Sequence, residues 1–257
     1  MSILASFRLE GRVALVTGSA RGLGWEMARA LAEAGAHVLL NGRSAERLEP
    51  RIKELHAAGL KAGMAVFDMA DRAGMEREVG ALLAAGRIDV LINNVGERDR
   101  RALNALSTTD FERLIDVDLN AAFALAKLVL PGMIERRYGR IIMVTSIAAE
   151  LAVPGSASYI AAKGGLGALV RALAAETAVH GITCNAIAPG FFHTEANDRM
   201  FSSPAGERWQ ARVPMRRFAQ PREIAGAALF LASDAASYVN GHTLTVDGGV
   251  SATFLMP

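Results

Sequence analysis

One feature limits the possible folds more than any other: strand-length apolar runs alternate with longer stretches of helical periodicity along the whole chain. Val13–Thr17, HVLLN, GMAVFD, IDVLINN, Arg140–Thr145, ITCNAIAP and Thr243–Val246 read as strands. Between them GLGWEMARALAEAG, Ser44–Ala58, DRAGMEREVGALLAAG, a long stretch through Arg136, Ser156–Val179 and Glu223–Ala232 read as helices. Pro50 inside the second helix implies a late start or a kink, and Thr108 or Thr109 can cap the long one. Parallel strands need such crossovers, so the pattern predicts an α/β chain with a parallel sheet, helices on both faces, and ligands beyond the strands' carboxyl ends. Thr17, Asn41, Asp68, Asn93, Ser146 and Pro189 fall there.

No linker or composition shift interrupts residues 1–257, which read as a single domain. The pattern fails between residues 191 and 217, where aromatics, charges, Gly and Pro mix. A connection that long in a compact domain is expected to be a substrate lid or binding segment.

Two stretches carry chemistry. In GSARGLG, which turns the first strand into the first helix, Gly18, Gly22 and Gly24 let backbone approach a pyrophosphate at the positive end of the helix. In the other, a strand delivers Ser146 and the next helix opens with Tyr159 and Lys163, one above the other at i and i+4. A close ammonium favours the phenolate, so Tyr159 can exchange a proton with an alcohol or carbonyl whose oxygen Ser146 holds.

With 28 Lys and Arg against 26 Asp and Glu, the net charge of +2 offers no field for nucleic acid or an anionic membrane. No later segment gives about 18 uninterrupted apolar residues, and no secretory start is visible, so the expectation is a soluble cytoplasmic protein. The five His are scattered without ligand spacing, so no metal is expected, and Cys184 reads as a small buried filler.

TGSARGLG at 17–24, NNVG at 93–96, Ser146, Tyr159-xxx-Lys163, PGFFHT at 189–194 and NGHTLTVDGG at 240–249 together resemble the short-chain dehydrogenase/reductase family over essentially the whole chain. The resemblance implies a Rossmann-type, doubly wound sheet of seven strands, a nicotinamide cofactor, and alcohol oxidation or carbonyl reduction. It implies Tyr159 as general acid/base, Ser146 as the group orienting the substrate oxygen, and Lys163 as the cation that lowers the phenol pKa and bonds the nicotinamide ribose. Gly18, Ser19, Arg21, Gly22, Leu23 and Gly24 match the pyrophosphate turn. Asp68 and Met69 match adenine contacts, and Asn94 and Gly96 the loop beside the adenosine ribose, where Val95 stands in place of the family's usual Ala. Phe192 and Thr194 match contacts to the carboxamide. Gly96 reads equally well as a glycine needed only for its turn. The family's catalytic Asn is replaced by Asp118, which reads as either a relay or a structural residue, while Asn120 should point away.

Where an acidic residue would grip the ribose of NAD, this chain has Gly42 followed by Arg43, and Arg21 stands in the glycine turn. Two arginines able to fork onto a 2′-phosphate favour NADP, with NAD possible; both arginines can also be plain surface residues.

The motifs NGRSAERL, GERDRRAL and SIAAELAVPG look most like the gluconate 5-dehydrogenase branch. Arg100 or Arg101 can bind a sugar acid's carboxylate, with Glu150 or His193 accepting from its hydroxyls; the arginines can equally serve a subunit contact. The resemblance also implies a homotetramer. A 3-oxoacyl carrier-protein reductase is the alternative enzyme, with Phe191, Phe192, Met200, Phe201 and Trp209 available to line an acyl channel. A non-catalytic nucleotide sensor is the alternative of another class.

Overall fold

Side-chain alternation along the strands builds two cores on opposite faces of one sheet. In the computed structural model, which describes residues 2–253, Leu15, Leu39, Leu91, Ile141, Met143 and Cys184 feed one buried cluster. Their neighbours Ala14, Val16, Val38, Leu40, Val90, Ile92, Ile142 and Val144 feed the other. The strands are β1 (Val13–Val16), β2 (His37–Gly42), β3 (Ala62–Val66), β4 (Val90–Asn93), β5 (Gly139–Val144), β6 (Ile182–Pro189) and β7 (Thr243–Val246). They form one seven-stranded parallel sheet in the order β3-β2-β1-β4-β5-β6-β7. Strand order therefore reverses between β1 and β4, and a crevice opens beyond their carboxyl ends.

The helices are α1 (Gly22–Glu33), α2 (Ala45–Ala57), α3 (Arg72–Ala85), α4 (Thr108–Ile115), α5 (Ala121–Arg136), α6 (Ala157–Thr177), α7 (Asp198–Phe201), α8 (Pro204–Gln210) and α9 (Ala225–Ala232). Buried side chains of α1, α2 and α9 join the core on one face, and those of α3, α5 and α6 the core on the other. Pro50 does not delay α2, which begins at Ala45 because Leu48, Ile52 and Leu55 hold one face of it in the core. Ser107, not Thr108 or Thr109, caps α4, its hydroxyl accepting from the Asp110 N–H at 3.1 Å.

A π-helical turn, Asp116–Asn120, joins α4 to α5. The resulting helix, Thr108–Arg136, is long and apolar enough to cross a membrane by length and composition, and half of its most apolar window is buried in the protein. The segment between residues 191 and 217 holds α7 and α8 over a small separate cluster of Phe201, Val213 and Phe218. Cys184 is fully buried, and burial pushes its thiol up to about 11, consistent with inert packing.

Candidate active site

The glycine turn is held from below by Asn41 and Ser19, and by Arg51, which sequence reasoning did not single out. Asn41, buried at the end of β2, accepts from the Gly18 N–H at 3.1 Å and donates to the Ala65 and Phe67 carbonyls at 2.9 and 3.1 Å. Ser19 is turned inward: its hydroxyl donates to Val16 O and accepts from Asn41 N, and its own N–H goes to Asn41 O. Every donor of Ser19 is thus spent on the turn. Arg51 stacks over Trp25 and donates to Ala20 O at 3.2 Å, bracing the loop from α2.

The turn is tight enough to require its glycines. Gly18 and Gly22 have φ of +61° and +59°. A Cβ on Gly24 would stand 2.5 Å from Gly18 O and 2.6 Å from Asn94 Nδ2. Asn94 pins β4 to β1 by donating to the Thr17 carbonyl at 3.0 Å, while the Thr17 hydroxyl accepts from the N–H groups of Asn94 and Val95. Helix α1 has no side-chain cap, so its first N–H groups remain available to an anion. This cradle, with room only for backbone and open donors at a helix start, fits a dinucleotide pyrophosphate.

Arg21 and Arg43 are exposed at the rim, and neither makes an ion pair among the described residues. Leu23 is half-buried behind the turn. Asp68 is half-buried after β3, its carboxylate accepting from Ala70 N, and Met69 is buried beside it. From the far side of the crevice, Thr194 Cγ2 lies 3.7 Å from where a Gly22 side chain would begin. Asn197 shapes that approach by accepting from Thr194 N and donating to Phe192 O, both at 2.8 Å, while Phe192 is buried against the α1 side of the sheet. Asn197 is a further residue missed from the sequence.

At the end of β5, Ser146 is buried and its hydroxyl accepts from Ala148 N. One strand over, α6 presents Tyr159 and Lys163, both buried. The Lys163 ammonium donates to Val144 O at 3.0 Å and Val95 O at 3.5 Å, and stands 5.7 Å from the Tyr159 ring centre. Burial alone would raise the phenol pKa. The charges of Lys163 and Arg98, with hydrogen bonds from Arg98 and Ser146, outweigh it and hold the phenol below its ordinary value. Arg98, absent from the sequence-level candidates, donates to the Tyr159 oxygen at 3.2 Å and lies 4.5 Å from the ring centre. Phenol, ammonium and hydroxyl thus assemble a proton-exchange centre poised for an alcohol or carbonyl oxygen.

The π-turn aims Asp118 inward, 1% exposed, where its Oδ1 accepts from Glu97 N at 2.8 Å. Its Oδ2 is buried without a hydrogen-bond partner. A Cβ on Gly96 would stand 2.7 Å from Lys163 Nζ and 3.3 Å from Asp118 Oδ2, so this glycine is the gap between the two groups. Burial pushes the Asp118 carboxyl above its ordinary value, more than the nearby Lys163 charge lowers it. Asn120 points away as expected and bonds Asp116 on the surface.

The four expected substrate residues are held in different ways. Arg101 is clamped by Asp99 and Asp110, and Arg100 rests its Nη1 on Met200 Sδ at 2.7 Å. His193 bonds Asp198 at 2.7 Å inside the 191–217 segment. Glu150 lines a cavity of about 200 Å³ together with Ser146 and Lys163.

A family model described as enoyl-(acyl carrier protein) reductase matches residues 18–251. The gluconate 5-dehydrogenase of Gluconobacter oxydans is 41% identical over 249 residues, 96% of this chain and 97% of the relative. A 3-oxoacyl-[acyl-carrier-protein] reductase of Thermotoga maritima is 36% identical, covering 95% of this chain and 99% of its own length. The solved structure of a gluconate 5-dehydrogenase from Burkholderia cenocepacia, in complex with NADP and tartrate, superposes with a TM-score of 0.94 at 41% identity, covering 98% of this chain and all of that one. With the ordered motifs in place on a seven-stranded parallel sheet, the chain belongs to the short-chain dehydrogenase/reductase family.

Proposed function

We propose that this chain is an NADP-dependent oxidoreductase that interconverts a secondary alcohol and a ketone on a sugar acid of the gluconate and 5-ketogluconate type. The observation that carries this reading is the buried Tyr159 phenol, held below its ordinary pKa by Lys163, Arg98 and Ser146 at the mouth of the dinucleotide cradle. When bound, the nicotinamide supplies the hydride acceptor or donor. In oxidation Ser146 orients the alcohol oxygen and the Tyr159 phenolate takes its proton; in reduction the phenol returns it. Lys163, with two of its three protons on the Val144 and Val95 carbonyls, keeps the third for the phenol side or a ribose. Asp118 sits behind Lys163 as the relay or support.

Gly18, Gly22, Leu23 and Gly24 hold the pyrophosphate, with Ser19 as their brace. Asp68 and Met69 flank the adenine, Asn94, Val95 and Gly96 the adenosine ribose, and Phe192 and Thr194 the carboxamide. Arg43 and Arg21 meet the 2′-phosphate, a choice supported by Gly42, which puts no carboxylate in the way, and by the NADP complex of the Burkholderia relative. The sugar-acid preference is supported by the names of the Gluconobacter and Burkholderia relatives.

The acyl-carrier reductase reading is favoured by the Thermotoga relative; Phe191, Phe201 and Trp209, expected to line its channel, pack on one another instead. The sensor alternative lacks support, because the Ser146, Tyr159 and Lys163 groups are all assembled. The chain acts as one catalytic domain with residues 191–217 as its lid, in the cytoplasm.

It assembles as a homotetramer. The outward apolar side of α5, where Phe123 and Ile134 are exposed, suits such a contact; the ending SATFLMP, expected to join it, runs beyond the described residues. Sedimentation near the 27.2 kDa of one chain would refute the tetramer.

The test is nicotinamide absorbance with NADP or NAD against gluconate, and with their reduced forms against 5-ketogluconate and an acetoacetyl thioester. Turnover of the sugar acid with NADP, lost in Tyr159→Phe, supports the proposal; turnover of the thioester alone moves the chain to the acyl reductase reading.

A further inference from the structure

The loop after β4 and the start of α4 carry four arginines among four carboxylates, and the fold divides them unequally. Arg101 is held by Asp99 and Asp110, and Arg113 by Glu97 at 2.6 Å. Arg98 and Arg100 have no carboxylate partner among the described residues, and Arg100 leans on Met200 in the 191–217 segment. Only Arg98 reaches the reaction centre, with its terminal nitrogen 3.2 Å from the Tyr159 oxygen.

That position puts two cations on one phenol: Lys163 from the same helix and Arg98 from the loop opposite, with the uncharged Ser146 hydroxyl as the third group acting on it. Around a neutral phenol the two positive charges repel. The arrangement becomes favourable once an anion stands between them, either the phenolate or an acidic group on a bound substrate. Arg98 is exposed and lies on a loop, so its side chain can turn without disturbing the core. Its planar fork suits a carboxylate.

We propose that Arg98 is a specificity-determining residue, passing from the Tyr159 oxygen to the carboxylate of an acidic substrate as that substrate enters. A carboxylate arriving near Tyr159 unaccompanied would disfavour the phenolate; with Arg98 on it, the acid is bound and its charge offset together. A neutral polyol gains neither effect. This inference rests on the oxidoreductase reading and deepens it.

The experiment uses the full chain and reads two things: calorimetric binding of gluconate to the chain with NADPH bound, which cannot oxidise it, and KM with NADP for gluconate against a neutral polyol, sorbitol. Arg98→Gln removes the charge and the fork, Arg98→Lys restores the charge, and Arg100→Gln is the comparison. NADP binding equal to that of the unmodified chain shows that each variant is folded.

The expected result is a loss of gluconate affinity of about ten- to hundredfold in Arg98→Gln, partial recovery in Arg98→Lys, and a ratio of gluconate KM to sorbitol KM that rises by about the same factor, any fall in kcat from the phenol's lost partner being common to both compounds. The inference is overturned by an equal change for both compounds, by no change for either, or by a larger loss at Arg100 than at Arg98. Gluconate that binds through Arg98 but is not turned over by the unmodified chain would sink the sugar-acid reaction and leave this inference standing. An unmodified chain that binds no gluconate overturns both.

Discussion

Replacing Asp118 by Asn separates a neutral carboxyl from a carboxylate at the centre of the site. The two side chains have the same shape. Asn can keep the bond from Glu97 N on its oxygen and place an amide donor where Oδ2 lies unpartnered. Lys163 stands no more than about 6 Å away, close enough to attract a carboxylate. Burial nevertheless dominates and raises the carboxyl pKa. The sign follows from linkage: an acid whose folded pKa is raised favours the native state while neutral, below its unfolded value. That contribution is lost as pH rises from the ordinary carboxylate range through the folded pKa.

Each unit by which the fold raises the pKa costs about 1.4 kcal/mol once Asp118 ionises. At roughly 2–4 °C per kcal/mol for a domain of this size, that is about 3–6 °C in Tm. Melting of both proteins at one fixed concentration, from pH 3.5 to pH 8, is the assay. Asp118→Asn should match the parent at the acid end and melt progressively higher towards pH 8, reaching a plateau above the folded pKa. A difference independent of pH, or a variant that melts lower at pH 8, would refute the reasoning and mark Asp118 as a carboxylate paired to Lys163.

Tyr159→Phe should lower turnover about 10²–10⁴-fold with NADP binding unchanged in a fluorescence titration. Lys163→Met removes the main cation acting on the phenol. The phenol pKa rises, so the acid limb of the pH profile of kcat/KM for alcohol oxidation should move to higher pH. Gly24→Ala drives a methyl into Gly18 O and Asn94 Nδ2. Overpacking of about 1–3 kcal/mol should weaken NADP binding by about 5- to 150-fold, measured by fluorescence titration. Arg43→Ala should weaken NADP by about tenfold and leave NAD unaffected, read as the ratio of the two dissociation constants.

The sheet was legible because its inner strands are buried on both faces and so run as apolar stretches; all seven strands end within two residues of the sequence boundaries. Tyr159 and Lys163 were legible for a similar reason, since helical spacing alone puts them on one face. Residues whose partners come from another element were not. Asn41 offered a faint signal, a lone amide ending the apolar run HVLLN, but the carbonyls it bonds, Ala65 and Phe67, belong to the next strand's region. In GERDRRAL nothing local says which arginine Asp99 and Asp110 will take, so Arg101 was named for the substrate and Arg98 was passed over. The π-turn that buries Asp118 between α4 and α5 likewise leaves no periodic trace.

That division explains where specificity resides. The groups that move the proton sit on β5 and α6, fixed by packing against the sheet. In the proposed reading the groups that meet a substrate sit on the loop from residue 96 to 107 and on the 191–217 segment, whose cluster of Phe201, Val213 and Phe218 is separate from both cores. Within that cluster Phe201 and Phe218 stack at 4.0 Å between ring centres, and Phe191 packs on both. Rings that satisfy one another in this way fill the space an acyl chain would have to enter, so an acyl reductase would need the cluster to open. A sugar acid needs only a charge and hydroxyl partners at its edge, which Arg98 and Ser146 present beside Tyr159 in this arrangement.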